Sequence, residues 1–293
     1  MSETIVVTGA SGAIGSRVAR LLSEAGAGQR LLVRDAERAP SLPDGGAGAT
    51  VAVAPGGYAD GAAIRAACEG ASTLLLVSAK EAADRVAEHV AAIDAARAAG
   101  VERIVYLSFL AAAPDATFTF ARDHFATEQH VRASGASFSF LRPSLYADLV
   151  PYWVGADGVI RGPAGEGSIA WVTRDDVAAV AAAVLLAPDE HVGQTYDLTG
   201  PALMTVAETA ALLAERAGRP VTYVPETLEE ARASRAGSGA AAWEIEGWVT
   251  SYAAIASGEM AVVSDAVQRV SGRPPQGLGA WLDANPGAIG AVG

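Results

Sequence analysis

Short β-branched runs alternate with longer stretches of helical period through the first half of the chain. TIVVT (4–8), RLLV (30–33), TVAVA (50–54), STLLLVS (72–78), ERIVYLS (102–108) and SFSFLRP (137–143) read as strands. SRVARLLSEAG and DRVAEHVAAIDAARAAG, between them, read as helices. In the second, Val86, Val90, Ile93 and Ala96 recur at helical spacing and Gly100 supplies the stop. Continuously apolar strands alternating with helices predict a parallel sheet covered on both faces. Right-handed crossovers then make it a doubly wound α/β sheet of the Rossmann type.

Beyond Pro143 the rhythm breaks. YADLVPYWVGADGVIRGPAGEG is rich in Gly, Pro and aromatics and reads as irregular structure or an inserted lobe. The rhythm returns once, with a helix over 175–187 (DDVAAVAAAVLLA) and a strand over 194–200 (QTYDLTG). From Thr205 the pattern is mainly helical, with one short strand at 220–224 (PVTYV), and all five tryptophans lie beyond residue 150. The expected division is a Rossmann domain over 1–148, to which 170–200 returns, and a smaller, mainly helical lobe made of 149–169 and 201–293.

Composition narrows the chemistry. The formal charge of −12 argues against a nucleic-acid partner. The single cysteine, Cys68, excludes a disulfide framework and a cysteine-rich metal site, and reads as a small buried hydrophobe. MSETIVVTGA has neither the basic nor the apolar region of a signal peptide. The longest uncharged apolar run, VAAVAAAVLLA from Val177, is too short to span a bilayer. These features point to a soluble, cytoplasmic protein with no membrane partner, as monomer or homodimer. Lysine occurs once, at Lys80, and the Arg- and Ala-rich bias fits a G+C-rich bacterial genome.

TGASGAIGSRV joins the first strand to the first helix. Gly9 permits the tight turn, Gly12 lets the backbone approach a pyrophosphate, and Gly15 allows close helix–sheet packing. With Ser11 and Ile14 they form a phosphate loop whose amides face an anion at a helix N-terminus. The spacing is GxxGxxG, and its place between an N-terminal strand and an amphipathic helix gives it weight. At the end of the second strand, Arg34 suits the 2′-phosphate of NADP(H). A strand boundary one residue later would bring Asp35 there instead, to bind the ribose hydroxyls of NAD.

With TGASGAIG, the VRD after strand two, LLLVSA, AARAAGVERIVYLS and SFLRPS in order, the chain resembles the atypical short-chain dehydrogenase/reductases. Within them it is most similar to the NmrA-like branch, and especially to NADPH-dependent quinone oxidoreductases of type 2. DHFATEQHVRASG and the TRDD that opens the late helix extend the likeness nearly end to end. The resemblance implies NADP(H) as cofactor, with Ser78 and Ser108 at its middle and Pro143 and Ser144 beside the nicotinamide. The wider family's Tyr-x-x-x-Lys pair cannot exist here, because Lys80 has Leu76 four residues before it. The matching helix carries Phe120, His124 and Glu128 on one face instead, while Ser108 keeps its place after the fifth strand.

That loss has a chemical consequence. Hydride transfer to a ketone gives an alkoxide whose conjugate acid has a pKa of roughly 15–16, so it needs a positioned acid. A quinone gives a phenolate, with a pKa of about 10, which water can protonate. The expected activity is therefore reduction of a quinone or similar conjugated carbonyl by NADPH. Two other readings stay open: a non-catalytic NADP(H)-binding redox sensor, and a tailoring enzyme acting on an aromatic polyketide-like substrate.

His124 reads as a ribose-orienting or proton-relaying group, with an exposed helical histidine as the plain alternative. Glu128 reads as a solvated or ion-paired helix residue, and His89 as a packing residue. Lys80 lies at the carboxyl edge of the sheet, placed for a phosphate or substrate contact or simply at the surface. Asp176 is expected to cap the helix at 177–187. Phe120, Tyr146, Tyr152 and Trp153, with Trp171, are expected to meet a flat aromatic ligand or to form a seam. Gly57 departs from the branch's usual Asp before Tyr58, which leaves Asp60 as a helix cap.

Overall fold

The structure is a computed structural model and describes residues 4–46 and 48–289. Five parallel strands and their crossovers come first: β1 (Ile5–Val7), α1 (Ala13–Glu24), β2 (Gln29–Val33), β3 (Ala49–Val53), α2 (Gly61–Cys68), β4 (Thr73–Val77), α3 (Arg85–Ala98) and β5 (Arg103–Leu107). They are followed by α4 (Thr119–Ala133), β6 (Ser137–Pro143), β7 (Val159–Gly162), β8 (Ser168–Ile169), α5 (Arg174–Leu186) and β9 (Thr195–Leu198). The remainder holds β10 (Met204–Thr205), α6 (Val206–Ala217), β11 (Thr222–Pro225), α7 (Leu228–Arg235) and α8 (Ala242–Ala256). Three short helices end it: α9 (Ala266–Ser271), α10 (Leu278–Ala284) and α11 (Pro286–Ile289).

Two compact units result. The first combines the described residues up to Ser108 with Asp123–Arg142 and Val177–Tyr196. Its seven-stranded sheet runs β3-β2-β1-β4-β5-β6-β9, the doubly wound order of dinucleotide-binding folds extended by one strand. Both faces are buried, as side-chain alternation along a covered strand requires. Val6, Leu74, Leu76, Ile104 and Phe140 join Ile64, Cys68, Ile93 and Ala96 in one core. The alternate positions Val7, Leu31, Leu75, Val105 and Leu141 are equally buried on the opposite face. Cys68 is buried as expected, and burial pushes its thiol up to about 11.

The second unit comprises Phe109–Arg122, Pro143–Asp176 and the described residues from Asp197 onward. Its core gathers Trp171, Ile160, Ile169, Leu213, Ile255 and Trp281, and the Trp171 indole donates to Thr209 Oγ1 at 3.0 Å. Two T-x-x-E boxes start its helices. Thr205 with Glu208 and Thr227 with Glu230 each satisfy two otherwise orphaned amides.

The segment expected to be irregular is more ordered than its composition suggests. It holds a 3₁₀ turn over Ala147–Trp153, and β7 pairs in parallel with β11 while β8 pairs antiparallel with β10. Each pairing joins strands of two to four residues far apart in sequence, so no local pattern announces it. A second correction concerns the late helix, which begins at Arg174. Thr173 caps it by accepting the Asp176 amide at 3.1 Å, and Asp176 is the reciprocal partner inside the first turn. Among the described residues, no helix is long and apolar enough to cross a membrane and no cluster could hold a metal ion.

Candidate functional site

The turn after β1 is built so that backbone, not side chain, lines it. Gly9 has φ +57°, and the Gly12 amide donates to the Gly9 carbonyl at 2.8 Å. A Cβ at Gly15 would lie 2.3 Å from the Gly9 carbonyl oxygen, so only glycine lets α1 start this close to the strand. Ile14 is buried in the first turn of the same helix. The free amides at this helix start border a cleft of about 370 Å³ within the first unit, inside the range of small-molecule sites. Six predicted cofactor residues line it: Gly9, Ser11, Gly12, Arg34, Ser78 and Lys80.

The structure places Arg34 and Asp35 differently. β2 ends at Val33, and the Asp35 side chain is taken up in accepting the Glu37 amide at 3.0 Å. Arg34 is exposed, lines the cleft and has no salt-bridge partner among the described residues. Beside it, Gly57 adopts φ +63°, and a Cβ there would touch Arg34 Cδ at 3.8 Å. Glycine at this turn also leaves no carboxylate to neutralise the guanidinium. Asp60 caps α2 as expected, accepting from the Ala63 amide at 3.0 Å. The Tyr58 hydroxyl lies 2.6 Å from Thr8 Oγ1 and donates to the Val77 carbonyl, fixing the cleft floor at the ends of β1 and β4.

Around β5 and α4 lies a second, buried cluster. Ser108 donates to Glu128 Oε1 at 2.6 Å, and Arg142 grips the same carboxylate through Nε at 2.8 Å and Nη2 at 2.6 Å. Glu128 is fully buried and ion-paired, so of the two expected readings, solvated or ion-paired, the structure shows the second. The bidentate guanidinium supplies the charge that makes such burial tolerable.

His124 is buried too, not exposed. Its Nε2 lies 3.2 Å from Arg85 Nη2 and its Nδ1 lies 2.8 Å from the Tyr106 hydroxyl. Arginine only donates, so Nε2 accepts and the ring is neutral with its proton on Nδ1. Burial first, then the positive Arg85, holds the imidazole well below its ordinary pKa. His89, likewise buried, is pushed down to about 3 by the same two causes.

The other predicted residues belong to the second unit. Phe120 is packed on Gly247, where a Cβ would come within 2.2 Å of its ring, with Trp243 at 5.9 Å between ring centres. Trp153 sits edge-on to Trp171 at 5.0 Å and against Tyr252 at 4.4 Å, so its faces are largely spent on core packing. Arg174 lies over the Tyr146 ring at 5.0 Å, and Tyr152 is 71% exposed. Pro143 ends β6 and Ser144 follows it; Ser144 is buried and its hydroxyl has no hydrogen-bond partner among the described residues. The sequence reading passed over Arg85, Tyr106 and Thr127. The available signal was Arg85 standing four residues before His89 on one face of α3.

The chain matches the NmrA-like family model over residues 1–234. It belongs to the NmrA-like family. Over 291 residues it is 35% identical to the NAD(P)H azoreductase of Xenophilus azovorans, covering 98% of this chain and 100% of that one. Among solved structures it is similar to the NADPH-dependent quinone oxidoreductase of Escherichia coli complexed with NADPH. The TM-score is 0.85 at 30% identity, over 96% of this chain and 99% of the other. The Citrobacter sp. triphenylmethane reductase complexed with NADP(H) matches with a TM-score of 0.81 at 30% identity, over 96% and 99%.

Proposed function

We propose that this NmrA-like chain is an NADPH-dependent oxidoreductase that reduces quinones or similarly conjugated acceptors. The observation that carries the cofactor is the unpaired Arg34 beside Gly57, on the same cleft as the glycine turn. A free guanidinium at the end of β2 suits a 2′-phosphate, and the bare backbone at Gly9 and Gly12 suits a pyrophosphate. Bound NADPH would supply a hydride. Ser11, Ile14 and Gly15 shape the phosphate loop, Lys80 adds a second positive charge at the rim, and Ser78 lies between them.

The acceptor class follows from what the protein can do with a proton. The Phe120 ring carries no acid, and the neutral His124 has its acceptor nitrogen filled by Arg85. Ser108 gives its own proton to Glu128 and so offers lone pairs to a ligand. Ser108 and His124 serve as positioning groups, and the acceptor stabilises its own oxyanion. The relatives are named for azo, quinone and triphenylmethane chemistry, and all three acceptor classes are conjugated. Phe120, Tyr146, Tyr152 and Trp153, with Pro143 and Ser144, are the proposed neighbours of a flat substrate and of the nicotinamide.

Calorimetry with NADPH and NADH tests this reading. NADPH should bind more tightly by about 10- to 100-fold, the worth of one or two charge-assisted hydrogen bonds, and Arg34→Ala should erase that gap. Equal affinities in the wild type would overturn the choice of cofactor. Tight NADPH binding with no oxidation by any quinone would favour the redox-sensor reading instead.

A further inference from the structure

The rim of the cleft after β4 has no regular secondary structure, yet Ser78, Ala79, Lys80, Glu81 and Ala82 all line the cavity. Backbone groups in such a segment need partners from elsewhere. The Ala79 peptide finds both in side chains of α3. Its N–H donates to His89 Nε2 at 2.8 Å, and its C=O accepts from Arg85 Nε at 3.1 Å. We infer that His89 and Arg85 are positioning residues, a two-sided brace that fixes the cofactor-binding rim through the Ala79 peptide. The inference rests on the proposed reading of this cleft as the NADPH site.

Each arm of the brace continues to α4. His89 accepts from Ala79 at Nε2, so its proton is on Nδ1, which lies 2.9 Å from Thr127 Oγ1. Thr127 in turn donates to the Asp123 carbonyl at 2.9 Å. Every hydrogen in that chain has one direction: Ala79 to His89, His89 to Thr127, Thr127 to the α4 backbone. The second arm runs from Arg85 Nη2 to His124 Nε2, with Tyr106 on the far side of the ring.

The surroundings keep both arms in one protonation state. His89 is fully buried, faces Tyr58 at 6.0 Å and Tyr106 at 5.7 Å edge-on, and has Thr127 from α4 and Arg85 from its own helix beside it. His124 of α4 lies close enough to feel its charge. Both ring nitrogens of His89 are taken, by the Ala79 amide and by Thr127, so no carboxylate bonds to it. Arg85 is 3% exposed, forms no salt bridge among the described residues, and its Nη1 has no hydrogen-bond partner. A buried arginine with no salt bridge among the described residues is costly to fold around, even with the Asp123 carboxylate near enough to feel its charge. Its placement is accounted for by the peptide it holds at the cleft.

The test compares NADPH dissociation constants by calorimetry in the wild type, His89→Phe and Thr127→Val. It also follows hydrogen exchange of the Ala79 amide in the cofactor-free proteins. His89→Phe should raise Kd about tenfold and speed Ala79 exchange, because the half-buried amide loses its acceptor. Thr127→Val, which touches neither Ala79 nor the cavity, should raise Kd less, and Thr127→Ser should restore it. At saturating NADPH, kcat should stay within about twofold, so the loss appears in KM. Folded variants with wild-type Kd would overturn the brace, as would unchanged Ala79 exchange. A wild type that fails to bind NADPH would instead remove the cofactor reading, while the exchange experiment still judges whether His89 holds the rim.

Discussion

The two ends of the first unit's sheet machinery are made in opposite ways. The phosphate-loop end, from Gly9 to Gly15, is built by removing side chains, so that backbone amides and a carbonyl occupy the space. The β5–α4 end is built by adding them: Ser108, Glu128 and Arg142 form one polar network, and Arg85, His124 and Tyr106 form another. The first depends on residues a few positions apart and tolerates no added atom. The second depends on partners 14 to 39 positions apart and tolerates no missing one. Anion binding needs exposed amides, whereas a fixed ring or carboxylate needs every buried donor matched.

The comparison breaks most readily at Glu128. Glu128→Ala removes the carboxylate that Arg142 and Ser108 share, and should cost about 3–4 kcal/mol in unfolding free energy, since one partner of a buried pair is lost. Urea titration checks it, and a loss below about 1 kcal/mol would mean the cluster is not the brace of this end. Next comes Gly15→Ala. Its new Cβ would stand 2.3 Å from the Gly9 carbonyl oxygen, and relieving that overlap should cost about 2 kcal/mol. NADPH affinity should fall with stability, because the same turn does both jobs.

The histidines sharpen the contrast through pH. His89 has a folded pKa of about 3 against an ordinary 6.5, so the unfolded chain binds the extra proton between those values. Its share of stability is fully present above pH 6.5 and is lost as pH falls toward 3, by at most about 1.4 kcal/mol per pH unit. His124, depressed in the same direction, adds to that slope. Urea midpoints between pH 4 and 7 should therefore fall with acid less steeply in His89→Phe than in the wild type. The smallest effect should come from Tyr152→Ala. That side chain is 71% exposed, and its removal should change stability by no more than about 0.5 kcal/mol. Any rise in quinone KM would then report substrate contact, separate from folding.

The same contrast explains what the sequence made legible. The strands, the crossovers and the glycine turn announce themselves because their signals are periodicity and spacing within a dozen residues. The position of Arg34 at the end of the second strand was readable for that reason, whereas the engagement of Asp35 with the Glu37 amide was not. Glu128 and His124 were visible as residues but not as buried ones, since Arg142 and Arg85 reach them from other elements. The pairing of β7 with β11 was hidden likewise. Val159 meets Thr222, and neither four-residue strand has a pattern of its own. Thr173 lost its cap to Asp176 in the reading because the box is reciprocal and either partner looks sufficient alone.

The most direct test of the account is anaerobic mixing of the protein and NADPH with a quinone and, separately, with a saturated ketone of similar size. The rate is read as loss of reduced nicotinamide. Roughly six pKa units separate the two product oxyanions, and half of that difference expressed in the transition state is about a thousandfold. The account predicts that the quinone reacts faster by at least that factor, and that Phe120→Tyr does not rescue the ketone. Comparable rates for the two acceptors in the unmutated protein would contradict it, by showing that a positioned acid is present after all.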